Sequence, residues 1–286
     1  MDSLEGLDGI ADDGPVLAVS PHLDDAVMSV GATLAAIAGS GRPVVVCTVF
    51  AGCPEPPLSE PAIRFHGDCG LDDDAVTVRL AEDRAAVAAI GATTLHLPFL
   101  DALYRRRGDD WLCTWLGAHF DPLLPAEPEL EAAITADLRS LLLSLRPAAV
   151  WTCGAVGGHV DHRMVLAATT AACATVGTGL AVWEDLPYAI GAPAGGLHAE
   201  GLHAGGLPAD GRPGVRVDGT HLERKRAAIE LYRSQLGMLF PDGSDWRADF
   251  DGHALSRLAT HGAAELVCAV AARSAHASGL GLSPSR

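Results

Sequence analysis

SPHLDDAVMSVGATL, residues 20–34, follows directly on the apolar run Val16-Leu17-Ala18-Val19. The apolar run reads as a buried strand, and the Ala-rich stretch behind it reads as a helix. His22, Asp24 and Asp25 stand at the seam between them, where like charges repel and desolvation is costly. Helix capping explains one aspartate, because a carboxylate at the helix start accepts a free backbone N–H. It explains neither the second aspartate nor His22. A metal site is the alternative, and the rest of the sequence decides between the two.

The rest of the chain repeats this alternation. Strands are expected at 16–20, 44–50, 94–98, 148–153, 181–184, 215–218 and 265–269, and helices at 25–38, 74–90, 129–145, 161–175, 221–236 and 252–260. Continuous apolar strands spaced by helices predict an α/β fold: a Rossmann-like, doubly wound, mostly parallel sheet with helices on both faces. Ligands of such sheets bind beyond the carboxyl ends of the strands, and His22 and Asp24 fall there. Two segments break the pattern. Residues 100–128 carry Pro, Gly, three Arg and two Trp and read as a long functional excursion. Residues 191–213 hold a tandem GLHA duplication and read as a Gly-rich surface loop, with His198 and His203 solvated.

Composition narrows the partners. A net charge of −16 argues against nucleic acid or an anionic membrane surface. Tyr104-Arg105-Arg106-Arg107 is a local basic exception, for which a solvated loop and an anion-binding role are both open. No apolar run reaches the length of a bilayer span, and the acidic start MDSLEGLDGIADDG lacks the basic and apolar regions of a signal peptide. A cytoplasmic protein is expected. The seven cysteines are scattered and form no C-x-x-C pair, so a disulfide framework is not expected. No phosphate-binding Gly-rich fingerprint follows the first strand, which disfavours a dinucleotide cofactor. His66, Asp68 and Cys69 read as a structural polar cluster, and Trp111 and Trp115, four apart, read as packing residues.

A second constellation strengthens the metal reading. GAVGGHVDHRMV, residues 154–165, again leaves a strand and enters a helix, with His159, Asp161 and His162 together. Gly157 and Gly158 suit a tight strand-to-helix turn around a ligand. If the clusters converge, a histidine and a carboxylate from the first and a histidine from the second make a two-His, one-carboxylate set with open positions. Such a set serves catalytic zinc or non-haem iron(II). A remaining Asp could act as base, and a His oriented by a neighbouring carboxylate as electrophile or acid.

These residues also carry a resemblance. Pro21-His22-Leu23-Asp24-Asp25 and His159-Val160-Asp161-His162 resemble the P-H-x-D-D and H-x-D-H hallmarks of the PIG-L/LmbE family of metal-dependent N-deacetylases. The likeness continues through Arg79-Leu80-Ala81-Glu82, Trp183-Glu184-Asp185-Leu186-Pro187-Tyr188, and Lys225 to Tyr232-Arg233-Ser234-Gln235. It covers most of residues 14–273, leaving 1–13 and 274–286 as tails beside one catalytic domain.

The resemblance implies that His22, Asp25 and His162 bind the metal, usually zinc, with iron(II) as the alternative. It makes Asp24 the general base and His159, held by Asp161, the group that stabilises the oxyanion or protonates the departing amine. Asp161 would favour the protonated form of His159. Adjacent aspartates diverge by about 100° on a helix, so one can ligate while the other faces the water. Arg79 resembles a substrate-contacting arginine, and Tyr188 reads equally as a pocket-wall residue and as a packing residue.

The implied activity is removal of an acetyl or similar acyl group from the amine of an amino sugar or specialised-metabolite intermediate, such as one of antibiotic biosynthesis. Action on a thiol-conjugate or other small amide, and a catalytically silent metal- or ligand-binding protein, are the alternatives. Retention of both Asp24 and His159 argues against the silent one. The implied partner is a small N-acylated substrate; a homo-oligomer is compatible with the sequence. One departure stands out: most members continue the first motif with Glu, where this chain has Ala26.

Overall fold

The computed structural model of the chain describes residues 14–72, 74–191, 217–240 and 244–270. Its strands are β1 (Val16–Ser20), β2 (Val44–Thr48), β3 (Thr93–His96), the short β4 (Arg106–Arg107) and β5 (Asp110–Trp111), β6 (Ala149–Cys153), β7 (Leu180–Trp183) and β8 (Val267–Ala269). Its helices are α1 (Asp25–Gly39), α2 (Glu60–Asp68), α3 (Ala75–Ala89), α4 (Pro128–Leu145), α5 (Val160–Val176), α6 (Gly219–Ile229), α7 (Arg233–Leu239) and α8 (Trp246–His261).

Six strands form one sheet in the order β3-β2-β1-β6-β7-β8. The first five run parallel, and β8 pairs antiparallel with β7. Every residue of β1 and β6 is buried, as central strands covered on both faces require. Strand order reverses at β1: the chain moves outward to β2 and β3, then returns to place β6 on the other side. Right-handed crossovers therefore put α1 and α3 on one face and α4 and α5 on the other. That reversal matters for function. The crevice of a doubly wound sheet opens at such a switch point, and the two motifs leave the two strands that flank it.

Several expected elements differ. Helix α2 was not anticipated, although Ser59 caps it by accepting from Ala62 N at 3.1 Å and a Pro stands in its first turn. The expected helix 221–236 is two helices, because the chain turns at Tyr232, whose fully buried ring reaches Asp83 through a 2.8 Å hydroxyl bond. Of the expected strand 215–218, the first two residues lie outside the described residues. Asp218 caps α6 instead, accepting from His221 N. The two expected tails and nearly all of the GLHA segment, with His198 and His203, also lie outside the described residues. No helix among the described residues is long and apolar enough to cross a membrane.

Candidate metal centre and active site

Capping does not account for the first motif. Asp24 occupies the N-cap position of α1 yet makes no side-chain capping bond. Ser20 does that work: its hydroxyl donates to the His22 carbonyl at 2.8 Å and accepts from Ala26 N at 3.1 Å. One oxygen of Asp25 accepts from His22 N at 2.8 Å. The helix bends at Val30, and beyond the bend Glu265, paired with buried Lys225 at 2.6 Å, accepts from Ala32 N and Thr33 N. The first turn of α1 is thus a separately anchored segment that carries two buried aspartates.

The second motif mixes capping with chemistry. His159 caps α5 through Nδ1, which accepts from Asp161 N at 3.1 Å. Burial, together with the charge on His22, pushes the His159 pKa well below its usual value. With Nδ1 accepting, the proton of the neutral ring sits on Nε2. This corrects the expected role of Asp161, whose carboxylate neither holds the His159 ring nor makes it cationic. Asp161 Oδ1 pairs with Arg105 at 2.7 Å, while Oδ2 accepts from Ala102 N at 2.9 Å and meets His22 Nε2 at 3.1 Å. Burial opposes the charge on Asp161, but Arg105 and His22 outweigh it and hold the carboxyl well below its usual range. Gly157 is needed twice over in the turn: its φ is +87°, and a Cβ there would lie 3.0 Å from Tyr188 Cγ.

The two motifs converge. Asp25 Oδ2 lies 3.2 Å from His22 Nδ1 and 3.3 Å from His162 Nε2, and one donor atom of each residue falls within 4.8 Å of the others. His162 Nε2 is fully buried without a hydrogen bond. Each histidine turns its other nitrogen onto a carboxylate, His22 Nε2 to Asp161 and His162 Nδ1 to Asp185 at 2.8 Å. Carboxylates behind ligand imidazoles fix their tautomer and raise their basicity. Donor types, the orphaned nitrogen and the outer carboxylates all fit a divalent zinc- or iron-type ion. His22, His159 and Asp161 form a second close triple, but Arg105 already neutralises Asp161 and the helix cap uses His159 Nδ1.

Burial opposes charge on His22, yet bonds to Asp161 and Asp25 raise its pKa to about 10. His162 is likewise raised well above normal against burial, by Asp25 and Asp185. A metal needs both rings neutral, so protons compete with it. Apparent affinity is therefore expected to rise with pH, by up to about 100-fold per unit if two protons leave. Chelator competition between about pH 6 and about pH 8 checks this; a flat profile contradicts it.

Beside the triple lies a cavity of about 390 Å³, lined by Asp24, Arg79, His119, His159, Tyr188 and Gln235 among others. Burial, with the charge of Asp25, raises Asp24 to about 7, although Arg79 at 4.0 Å works the other way. Tyr188 packs edge-on against His162 with centroids 5.5 Å apart. Every site residue singled out in the sequence therefore reaches the triple, its outer shell or this cavity.

Other residues were not foreseen. Asp185 lies inside a segment that drew notice only for its resemblance, and Asp101, 3.5 Å from His22 Nε2, carried no motif. Arg105 is no solvated arginine: it is buried between Asp161 and Glu127. Trp115, expected to pack, is 55% exposed. Of the expected structural cluster, His66 is buried and bonded to the Tyr104 hydroxyl at 2.8 Å, whereas Asp68 is exposed and lines the cavity.

Fold and site together define a Rossmann-like α/β protein with a two-histidine, one-carboxylate centre at its switch point. Residues 17–173 match the PIG-L family, described as GlcNAc-PI de-N-acetylase, and the chain belongs to that family. It is 30% identical over 186 residues to 2'-N-acetylparomamine deacetylase of Niallia circulans, a match covering 59% of this chain and 66%, just under two thirds, of that relative. Among solved structures it resembles the zinc-inhibited form of teicoplanin deacetylase Orf2, with 31% identity and a TM-score of 0.75 over 90% of this chain and 98% of that one. It also resembles the A40926 pseudoaglycone deacetylase Dbv21, with 36% identity and a TM-score of 0.71 over 91% of this chain and all of that one.

Proposed function

We propose that the protein is a metal-dependent hydrolase that removes an acetyl, or similar short acyl, group from the amine of an amino sugar on an antibiotic-type intermediate. The observation that carries this reading is Asp24. It is a buried carboxylate in the cavity wall, next to the ligand Asp25, uncommitted to helix capping and poised near pH 7. A silent binding site has no use for such a group. The three deacetylases named above support the choice of bond and the kind of molecule that carries it.

His22, Asp25 and His162 would hold the metal, zinc or iron(II). Once bound, such an ion polarises an acyl oxygen and lowers the pKa of water. The chain's own residues do the rest. Asp24, with a pKa near the working pH, can take a proton from the attacking water at a carboxylate oxygen and return it to the departing nitrogen. His159 donates from Nε2 as a neutral imidazole toward the oxygen on which charge develops, a role that requires no protonation. Arg79 restrains the Asp24 pKa and stands ready for a polar substituent of the substrate, while Tyr188 walls the cavity.

Incubating the zinc- and iron(II)-loaded protein with N-acetylated aminoglycosides and glycopeptide sugars, with detection of free amine and acetate, tests the reading. Equimolar amine and acetate are expected. No release from any of these amides would reject it.

For His159→Ala, metal content is expected to be unchanged, with kcat and kcat/KM falling together by about 10²- to 10³-fold. Because the ring works neutral, its loss should not remove a basic limb from the pH profile. Loss of metal, or an effect confined to KM, would contradict the assignment.

A further inference from the structure

The proposed reaction leaves one imidazole of the site unused. His119 lies on the 3₁₀ turn Ala118–Phe120, within the excursion 100–128, and lines the same cavity as Asp24 and His159. Its ring packs on His159 with centroids 4.6 Å apart and planes 32° from parallel. Phe120 buttresses the arrangement, edge-on to His159 at 5.2 Å and to Tyr188 at 5.8 Å. Gly117 makes the turn possible: its φ is +97°, and a Cβ there would lie 2.8 Å from the Trp115 ring. His119 is therefore held in place from both sides in sequence.

Its polar atoms are idle. Nδ1 is buried without a hydrogen-bond partner, and among the described residues His119 belongs to none of the triples able to hold a metal. An unmet polar ring in the wall of a catalytic cavity calls for an explanation. Burial, with the charge of His22, lowers its pKa, so the ring is neutral and offers one donor and one acceptor. A hydroxyl, which both donates and accepts, can meet whichever of the two roles the presented nitrogen takes. With Nδ1 sealed, Nε2 is the nitrogen the ring has left to present.

We infer that His119 is a specificity-determining residue that binds a hydroxyl of the substrate through Nε2, selecting a hydroxylated ring over an apolar amide. The inference rests on the deacylase reading above. His119 lies on the excursion loop, outside both motifs, so it can tune the choice of substrate without disturbing the metal set.

The test compares kcat/KM for methyl N-acetyl-glucosaminide and for N-acetylcyclohexylamine, a ring of similar size without hydroxyls. The preference for the sugar is expected to fall about 3- to 10-fold in His119→Phe, which keeps the stacked ring but no polar atom. His119→Gln, whose amide places a polar atom near the Nε2 position, should keep most of the preference. Metal content should be equal in all three proteins. Equal losses on both substrates, or a wild-type preference in His119→Phe, would overturn the inference and make His119 a packing residue. Calorimetric binding of the methyl glycoside separates this inference from the reading beneath it. If the wild type cleaves neither these two amides nor any of the N-acetylated antibiotics above, the deacylase reading fails, whereas His119 is still judged by binding: weaker binding by His119→Phe supports it, and no binding by wild type or equal binding by both overturns it.

Discussion

His162→Ala is expected to yield a protein that retains no divalent metal through gel filtration and releases no acyl group. The ring is wholly buried, its Nε2 meets the carboxylate of Asp25, and its Nδ1 is tied to Asp185. The other close triple, His22, His159 and Asp161, already spends Asp161 on Arg105 and His159 Nδ1 on the helix cap, so affinity should fall by more than the roughly 100-fold typical of losing a group behind a ligand. The change also leaves Asp25 and Asp185 without their shared cation, and unpaired buried carboxylates destabilise. Metal is therefore counted per folded chain. His22→Ala, at the less enclosed corner of the triple, checks the same claim independently. One full equivalent of metal in either variant would mean that the ligand set is wrong.

Asp24→Asn is expected to behave in the opposite way: full metal content with turnover reduced by about 10²- to 10⁴-fold. With Asp25 assigned as the ligand, the neighbouring carboxamide should cost no coordination, but an amide cannot accept a proton. The pH dependence follows in sign. A base works only when deprotonated, and the Asp24 pKa is raised to about 7, so the wild-type rate should fall as pH drops through its acidic limb. That limb should vanish from the residual activity of the variant. Turnover within about threefold of wild type would remove Asp24 from the reaction, since a general base contributes far more than that.

The fold was legible because its central strands are apolar apart from Ser20 and Thr152. Val16–Val19 and Ala149–Cys153 show a continuous, non-alternating pattern that only a strand covered on both faces requires. The convergence of His22, Asp25 and His162 was legible for a related reason: they follow those strands at fixed short intervals, so a parallel pairing of β1 with β6 brings them together. What could not be read depended on distant contacts. The break between α6 and α7 comes from Tyr232 reaching Asp83, across 149 residues of sequence. The antiparallel run of β8 depends on where the chain re-enters the sheet, which no local pattern records.

The site divides along the same line. His22, Asp24, Asp25, His159 and His162 announce themselves by clustering, whereas Asp101, Arg105 and His119 sit on the excursion and acquire meaning only once it folds back over the strand ends. Asp161 shows that spacing places a residue without showing which of its atoms faces a neighbour. Its place beside His159 suggested a carboxylate–imidazole pair, but at the start of α5 it is the backbone N–H of Asp161 that meets His159. The side chain is turned toward Arg105 and His22. Which atom of a residue faces its neighbour is set by helix geometry, and spacing alone does not show it.

The most direct test is a titration of chelator-treated protein with zinc and, separately, with iron(II), following acetate release from an N-acetylated amino sugar and bound metal in the same samples. Because a related deacetylase is known in a zinc-inhibited form, occupancy and rate must be read together. A metal-dependent deacylase with one centre per chain predicts no release at zero metal and release that grows in proportion to the first equivalent bound. Undiminished release from metal-free protein, or none at any occupancy of either ion, would contradict it.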